Sequence, residues 1–205
     1  MRHEDDIGRA YWNRLKDGDT SAYAAIYRFY YPRLYNYGFK LCRNEGRTED
    51  CLQELFTWLW HKRAELKNIE KPESYLFVSF RRSLLKASAE AHLFMREPGE
   101  ADMFFLEPAA DESMIDGEAA ALKQQYLRKA FDTLTPRQRE AVFLRFYEAM
   151  PYEEVAAILG LSTKGTYKLV ARALGVLRNY SSHHPVLNGL FSIGWMCLAL
   201  RLLLA

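Results

Sequence analysis

Cysteine, glycine and proline are scarce in this chain of 205 residues. The three cysteines (Cys42, Cys51 and Cys197) are too few and too far apart for a disulfide framework or a four-ligand zinc site. The histidines add no ligand set, because His183 and His184 are neighbours without a cysteine or carboxylate at ligand spacing. Eleven glycines and seven prolines, scattered along the length, exclude collagen-like and low-complexity chains. We therefore expect neither a metal nor a cofactor.

The chain also lacks a large excess of charge of either sign. Lys and Arg number 28 and Asp and Glu 26, so the net charge is +2 and indicates no partner until the charges are placed along the chain. Apolar residues make up 49% of the chain, which is enough to form a core and excludes a wholly disordered protein. Residues 1–20 carry charges throughout and no apolar run, so we expect no secretory signal and a cytoplasmic protein.

Strand patterns are missing as well, whereas apolar residues recur at the three- and four-residue steps of helices. The expected fold is all-α, with two small helical domains joined by an acidic linker. The first domain is predicted at 1–91, the linker at 92–118, the second domain at 119–182 and an apolar tail at 183–205. Within the linker, residues 97–118 hold eight acidic residues and no Lys or Arg, which is typical of a solvated spacer. The alternative is that its acidic charge competes with DNA and that residues 103–106 dock on another surface.

In the first domain, two helices can be placed by their start signals and apolar stripes. Thr48 is predicted to cap one helix, with Glu49 and Asp50 in its first turn. Pro72 is predicted to open the next, as proline does at the first helical position. The residues expected on the buried stripes are Leu52, Leu55, Phe56, Leu59 and Leu66 for the first helix, and Leu76, Phe80 and Leu84 for the second.

The second domain contains the pattern of a helix-turn-helix. Thr135 and Gln138 form a capping box around Pro136, which places a helix start there. A second helix is predicted from about Pro151 to Leu159, ended by Gly160, and Ser162 is predicted to cap a third. The buried stripe expected along the third helix consists of Thr166, Leu169, Val170, Ala173, Leu174 and Leu177.

The third of these helices has the features of a recognition helix. In a helix-turn-helix the first helix braces the second, which lies in the major groove, and a small residue such as Ala156 or Ala157 is needed where the two cross. From Arg137 to Arg178 the chain contains seven Lys and Arg residues and four Glu residues, which is a surplus of three positive charges. The predicted DNA-binding residues are Ser162, Thr163, Lys164, Tyr167, Lys168 and Arg172, which lie off the buried stripe. A polar outer face that binds nothing is the alternative.

Aromatic residues alternate with cations in the first domain. Trp58, Trp60, Tyr75 and Phe77 lie among Lys and Arg residues, a combination that suits unstacked single-stranded bases. The alternative is that these aromatic side chains form the core of a small helical domain.

Taken together, the two domains resemble an extracytoplasmic-function sigma factor of the sigma-70 family. TEDCLQELFTWLWHKRAELKNIEKPESYLFVSFRRSLLK, residues 48–86, resembles region two of that family. LRKAFDTLTPRQREAVFLRFYEAMPYEEVAAILGLSTKGTYKLVARALGVLR, residues 127–178, resembles its region four. The sequence of the recognition helix is most similar to that of family members common in Bacteroidetes.

This resemblance implies a subunit that directs RNA polymerase core to promoter DNA and helps to open it. It implies that Asp50, Gln53 and Glu54 bind the polymerase core, and that the recognition helix reads the −35 element. The loop 63–74 and the helix beside it would bind the −10 element and a flipped base. The residues assigned to the −10 element are Trp58, Trp60, Lys62, Arg63, Lys67, Asn68, Lys71, Tyr75, Arg81 and Arg82. A membrane-bound anti-sigma factor is the further partner implied.

The sequence departs from the family pattern at two positions. Pro151 replaces the usual capping Ser or Thr, and Gly165 within the recognition helix costs about 1 kcal/mol relative to Ala. The tail from Pro185 is marginal for spanning a bilayer, so we expect it to pack on the protein or, alternatively, to contact a membrane or the anti-sigma factor.

Two other classes of function compete with this interpretation. A helix-turn-helix regulator that acts without polymerase would use the first domain for dimerisation or sensing. An enzyme is the third class, but the chain has no phosphate-binding glycine loop, zinc-binding His-Glu helix or Gly-x-Ser-x-Gly elbow.

Overall fold

A computed structural model describes residues 2–66, 69–95, 125–126 and 128–183 of the protein. Within these ranges the regular elements are helices and no strand occurs, so the all-α prediction is confirmed. The chain divides into two compact units, residues 1–101 and residues 102–205. The division falls within the predicted linker, but residues 96–124 lie outside the described ranges.

The first unit contains four α-helices: α1 (Arg2–Lys16), α2 (Thr20–Cys42), α3 (Glu45–His61) and α4 (Pro72–Met95). A short 3₁₀ helix, Arg63–Glu65, follows α3. Helix α2 is central, because it packs against each of the other three α-helices. Fully buried side chains of this core include Trp12, Leu34, Tyr37, Leu52, Leu59, Phe77, Phe80 and Leu84.

The start of α3 differs from the prediction. Asn44 caps this helix by accepting a hydrogen bond from the Arg47 amide, and Thr48 lies four residues further on, inside the helix. Thr48 is fully buried, and its hydroxyl donates to the Asn44 carbonyl at 2.8 Å. The predicted Thr48 cap is therefore wrong, because the side chain is needed where α3 packs on α2.

The other predicted features of the first unit are mostly confirmed. Pro72 opens α4, and the residues predicted for the buried stripes of the two helices are buried. Leu66, predicted on the stripe of α3, lies beyond that helix, directly after the 3₁₀ helix. Helix α4 runs to Met95, four residues beyond the end predicted for the first domain at residue 91.

In the second unit residues 125–126 and 128–132 are helical, and α5 (Pro136–Val142), α6 (Tyr152–Leu159) and α7 (Thr163–Ser182) follow. The capping box at the start of α5 is confirmed: the Thr135 amide donates to Gln138 Oε1 at 2.9 Å, and the Gln138 amide donates to Thr135 Oγ1 at 3.3 Å. One π-helical turn, Phe143–Tyr147, extends α5. Helices α5 and α6 both pack against α7.

None of the described helices is both long enough and apolar enough to cross a bilayer, and no cluster of three potential metal ligands occurs among the described residues. The tail beyond His183, for which packing or membrane contact was predicted, lies outside the described part of the chain.

Candidate nucleic-acid interfaces

The turn between α6 and α7 is built by three local signals. Pro151 stands at the cap position of α6 without a side-chain hydrogen bond, as its sequence predicts. Gly160 ends α6 in the left-handed conformation at φ 65°, which glycine adopts without a Cβ penalty. Ser162 then caps α7, accepting from the Gly165 amide at 3.0 Å. These signals confirm the predicted helix-turn-helix boundaries.

The buried side of α7 holds it against α5 and α6. Thr166, Val170, Ala173 and Leu177 are fully buried, whereas Leu169 and Leu174 are only half-buried. The stripe is thus narrower than the six residues predicted. Of the two alanines considered for the helix crossing, Ala156 is buried and Ala157 is exposed, so Ala156 is the small residue at this contact.

The opposite side of α7 is cationic and polar. The side chains of Ser162, Lys164, Tyr167, Lys168 and Arg172 are exposed, and Thr163 is half-buried. Helix α7 contains no acidic residue. The free backbone amides at the N-terminus of α7 lie beside Thr163 and Lys164, and the helix dipole favours an anion at this end. This face is available to a polyanion such as duplex DNA.

One aromatic residue of this face is held by a residue that sequence reasoning missed. The ring of Tyr167 stacks on the ring of Tyr152, the first residue of α6, with 3.8 Å between their centroids and 22° between their planes. The Arg145 guanidinium lies 4.9 Å from the Tyr152 ring centroid. No periodicity links positions 145, 152 and 167, because the contacts cross a turn between helices.

In the first unit, Trp60 lies at the end of α3 between two partners. Its ring centroid is 5.1 Å from that of Tyr23, and the Arg63 guanidinium covers the ring at 4.2 Å. Arg63 Nη1 also donates to the Trp60 carbonyl at 2.7 Å. Trp60 and Arg63 are both half-buried. Because the guanidinium lies over the indole ring, the two side chains form one stacked pair.

The remaining residues predicted for the −10 element fall into three groups. Lys62, Lys71 and Arg82 are exposed, while Tyr75 and Arg81 are half-buried. Lys62 binds Glu65 at 2.8 Å, and burial raises the pKa of Tyr75 above its ordinary value. Lys67 and Asn68 lie outside the described residues.

The predicted −10 site is corrected in one detail, and one of the aromatic side chains of the first domain belongs to the core. The stretch 63–74 is not a continuous loop, because Arg63–Glu65 is a 3₁₀ helix and residues 72–74 form the first turn of α4. Phe77 is fully buried, with its ring centroid 5.3 Å from that of Tyr37. Phe77 therefore belongs to the core and presents no surface to a base.

Trp58 faces away from Trp60. Each residue of an α-helix turns about 100°, so positions 58 and 60 differ by about 200°. The Trp58 side chain is 45% exposed and lines a groove of about 670 Å³ on the outer side of α3. The residues lining this groove are Asp50, Gln53, Glu54, Thr57, Trp58, His61 and Lys62. Trp58 thus shares a surface with the three residues predicted to bind polymerase.

Both units match families of known proteins. Residues 26–91 match the family model described as sigma-70 region 2, and residues 124–177 match the one described as sigma-70, region 4. Among the curated relatives, the ECF RNA polymerase sigma factor SigK of Mycobacterium ulcerans is 25% identical over 179 residues, covering 85% of this chain and 93% of the relative. A probable RNA polymerase sigma factor, RfaY of Xanthomonas campestris, is 29% identical over 68% of this chain, which spans 35% of that protein.

Two solved structures are similar in fold. CnrH, solved in complex with the cytosolic domain of CnrY, aligns with a TM-score of 0.56 and 18% identity over 87% of this chain and 99% of CnrH. The sigma factor RpoE of Bartonella quintana, solved with the anti-sigma factor NepR, aligns with a TM-score of 0.56 and 20% identity over 78% of this chain and 96% of RpoE. The match of the first unit to region 2 also speaks against the alternative in which this unit is a dimerisation or sensor domain.

Proposed function

Because the chain belongs to the sigma-70 family as an extracytoplasmic-function sigma factor, which directs RNA polymerase in transcription initiation, we propose which of its surfaces perform each step. The protein needs a surface for duplex DNA, a surface for unstacked bases and a surface for the polymerase core. Each can be assigned to a different face of the described helices.

The cationic face of α7 is proposed to read the −35 element in the major groove. The observation that supports this assignment is the combination of exposed Lys164, Lys168 and Arg172 with a helix that has no acidic residue. Phosphate contacts position a protein on the duplex, whereas contacts to base edges supply sequence specificity. The N-terminal residues of α7 are suited to base edges, and Arg172, two turns further on, is suited to the backbone.

The stacked pair Trp60 and Arg63 is proposed to hold the opened strand at the −10 element. Opening a duplex costs about 1.4 kcal/mol per base-pair step, and a sigma factor has no nucleotide hydrolysis with which to offset this cost. Stacking a flipped base on an aromatic or guanidinium plane contributes about 1–3 kcal/mol per base, and the Arg63 guanidinium that covers Trp60 offers such a plane. Exposed Lys71 and Arg82 would add contacts with phosphate.

The outer groove of α3 is proposed to bind the polymerase core. Asp50, Gln53 and Glu54 supply acidic and amide groups, and Trp58 adds an apolar side chain one turn from Glu54. Interfaces often depend on a few such residues, and tryptophan is enriched among them. We therefore transfer Trp58 from the −10 site to the polymerase-binding surface.

An anti-sigma factor is proposed as a further partner, and the cytoplasm as the place of action. The support is that CnrH and RpoE were solved in complexes with CnrY and with the anti-sigma factor NepR. The cytoplasm follows from the location of bacterial RNA polymerase. Contact of residues 183–205 with a membrane has no support in the described part of the chain.

Run-off transcription with purified core polymerase tests the function. Transcripts from a cognate promoter should disappear when Gln53→Arg and Glu54→Arg are combined, because two cations replace the groups proposed to meet the core. Asp132→Arg, which reverses an exposed charge in the second unit, should leave transcription unchanged. Transcription by the double variant at the wild-type level would contradict the assignment of the polymerase-binding surface.

A further inference from the structure

Three side chains from three segments of the second unit form a stacked column beside the proposed DNA-reading face. Arg145 lies in the π-helical turn, Tyr152 begins α6 and Tyr167 lies in the second turn of α7. The Tyr152 ring is in the middle, 3.8 Å from the Tyr167 ring centroid and 4.9 Å from the Arg145 guanidinium carbon. Arg145 is itself held, since its Nη1 donates to the Met150 carbonyl at 3.1 Å.

The exposure of the column increases toward the DNA-reading face. Arg145 and Tyr152 are half-buried, whereas Tyr167 is 50% exposed. Tyr152 stacks on the Tyr167 ring, and half of the Tyr167 surface stays exposed. Tyr167 lies one helical turn after Thr163 and Lys164, within the part of a recognition helix that meets base edges.

We propose that Tyr152 is a positioning residue that holds Tyr167 in one orientation before DNA binds, and so makes Tyr167 determine the preference at one base pair of the −35 element. This inference rests on the proposed reading of the −35 element by α7. An unsupported exposed tyrosine occupies several staggered rotamers, and ordering it on binding reduces affinity by about two- to tenfold. Stacking on Tyr152 removes that cost in advance.

The contact also explains why two tyrosines occur at these positions. Tyr152 is the first residue of an eight-residue helix whose cap, Pro151, makes no side-chain hydrogen bond. From this position the Tyr152 ring reaches the Tyr167 ring in the second turn of α7, so one flat ring supports another across the turn. An aliphatic residue at 152 would fill space but would not fix the plane of Tyr167.

A selection experiment with holoenzyme tests this proposal. The promoter is randomised across the −35 element, bound fragments are sequenced, and the base preference at each position is compared among wild type, Tyr152→Phe, Tyr152→Leu, Tyr167→Ala and the double variant Tyr152→Leu/Tyr167→Ala. We expect Tyr152→Leu and Tyr167→Ala to lose preference at the same single position, with a three- to tenfold loss of affinity for the best promoter. Tyr152→Phe should keep the wild-type profile, because it keeps the ring.

The double variant separates positioning from simple stability. If Tyr152 acts through Tyr167, the double variant should bind no more weakly than Tyr167→Ala alone, since residues that act as a unit are not additive. An even loss at every position, or additive losses in the double variant, would overturn the proposal. Thermal unfolding of each variant shows whether the substitution impairs folding. If Tyr152→Leu is misfolded, Tyr152→Phe decides instead, and an altered base preference in Tyr152→Phe would overturn the proposal.

Lys168→Ala serves to distinguish this inference from the proposed function. If Lys168→Ala weakens promoter binding while Tyr152→Leu keeps the wild-type profile, the reading face stands and the positioning role is wrong. If Lys168→Ala and Tyr167→Ala are both without effect, the assignment of the −35 reading face to α7 fails.

Discussion

Replacing Trp58 by alanine should weaken binding to core polymerase without impairing capture of the opened strand. A tryptophan buries about 150–250 Å² when fully covered, and 45% of the Trp58 side chain is still exposed, which leaves roughly 70–110 Å² to be covered by a partner. At about 25 cal/mol per Å², full coverage is worth roughly 2–3 kcal/mol. This corresponds to about a 30- to 150-fold increase in the dissociation constant.

Two assays on the same variants check this separation. Fluorescently labelled protein is titrated with core polymerase, and the holoenzyme is then formed at saturating core and titrated with a forked promoter fragment whose non-template strand is unpaired. Trp58→Ala should fail in the first assay and match wild type in the second. Trp60→Leu should show the opposite pattern, because Trp60 carries the Arg63 stack on the other side of α3. A Trp58→Ala variant that binds core within twofold of wild type would refute the reasoning.

Three further predictions concern single groups. Lys168→Ala should lower the slope of log K for promoter binding against log salt by about 0.9, as loss of one phosphate contact does; an unchanged slope with discrimination relaxed by about 1–3 kcal/mol would assign Lys168 to a base instead. Gly38→Ala should destabilise the first unit by about 1–3 kcal/mol in urea unfolding, because its Cβ would lie 2.6 Å from the ring of Phe80, which is fully buried; an unchanged midpoint would show that the ring can move. Burial raises the pKa of Tyr23 and of Tyr35, and the Glu45 carboxylate adds to the effect on Tyr35. Because the pKa of these tyrosines is higher in the folded than in the unfolded state, the unfolding free energy should stay constant up to about pH 10 and fall as the pH rises further. In Tyr35→Phe the fall should be smaller, and a fall equal to that of the wild type would contradict the role of Tyr35.

The parts of the fold that were predicted correctly are those with a local physical cause. The capping box at Thr135 joins two residues three positions apart, and Gly160 ends α6 because only a residue without a Cβ adopts its φ at no cost. Pro72 and Ser162 act in the same way at the starts of α4 and α7. Each signal is complete within one helical turn, so it can be recognised without knowledge of tertiary contacts.

The start of α3 was missed because a tertiary contact overrides an equally good local signal. Asn44 and Thr48 both have side chains that cap helices, and Gly46 between them suggests that the helix begins later. In the fold, Gly38 of α2 lies so close to α3 that an added Cβ would be 3.0 Å from the Thr48 methyl group. Thr48 is therefore placed inside the helix by its packing against α2, and Asn44 is left to cap α3.

The two candidate DNA-binding surfaces differ in how many of their features could be predicted from the sequence. The separation of Trp58 from Trp60 follows from helical geometry alone, and it was missed because aromatic and basic residues were grouped by their proximity along the chain. The support of Tyr167 by Tyr152 has no such pattern, because fifteen positions, a glycine turn and two helix axes separate the rings. A face of a helix can thus be derived from residue spacing, but the orientation of one side chain on that face depends on what packs behind it. For a protein that discriminates among base pairs, that supporting contact is where specificity between close relatives can change while the recognition helix keeps its cationic residues.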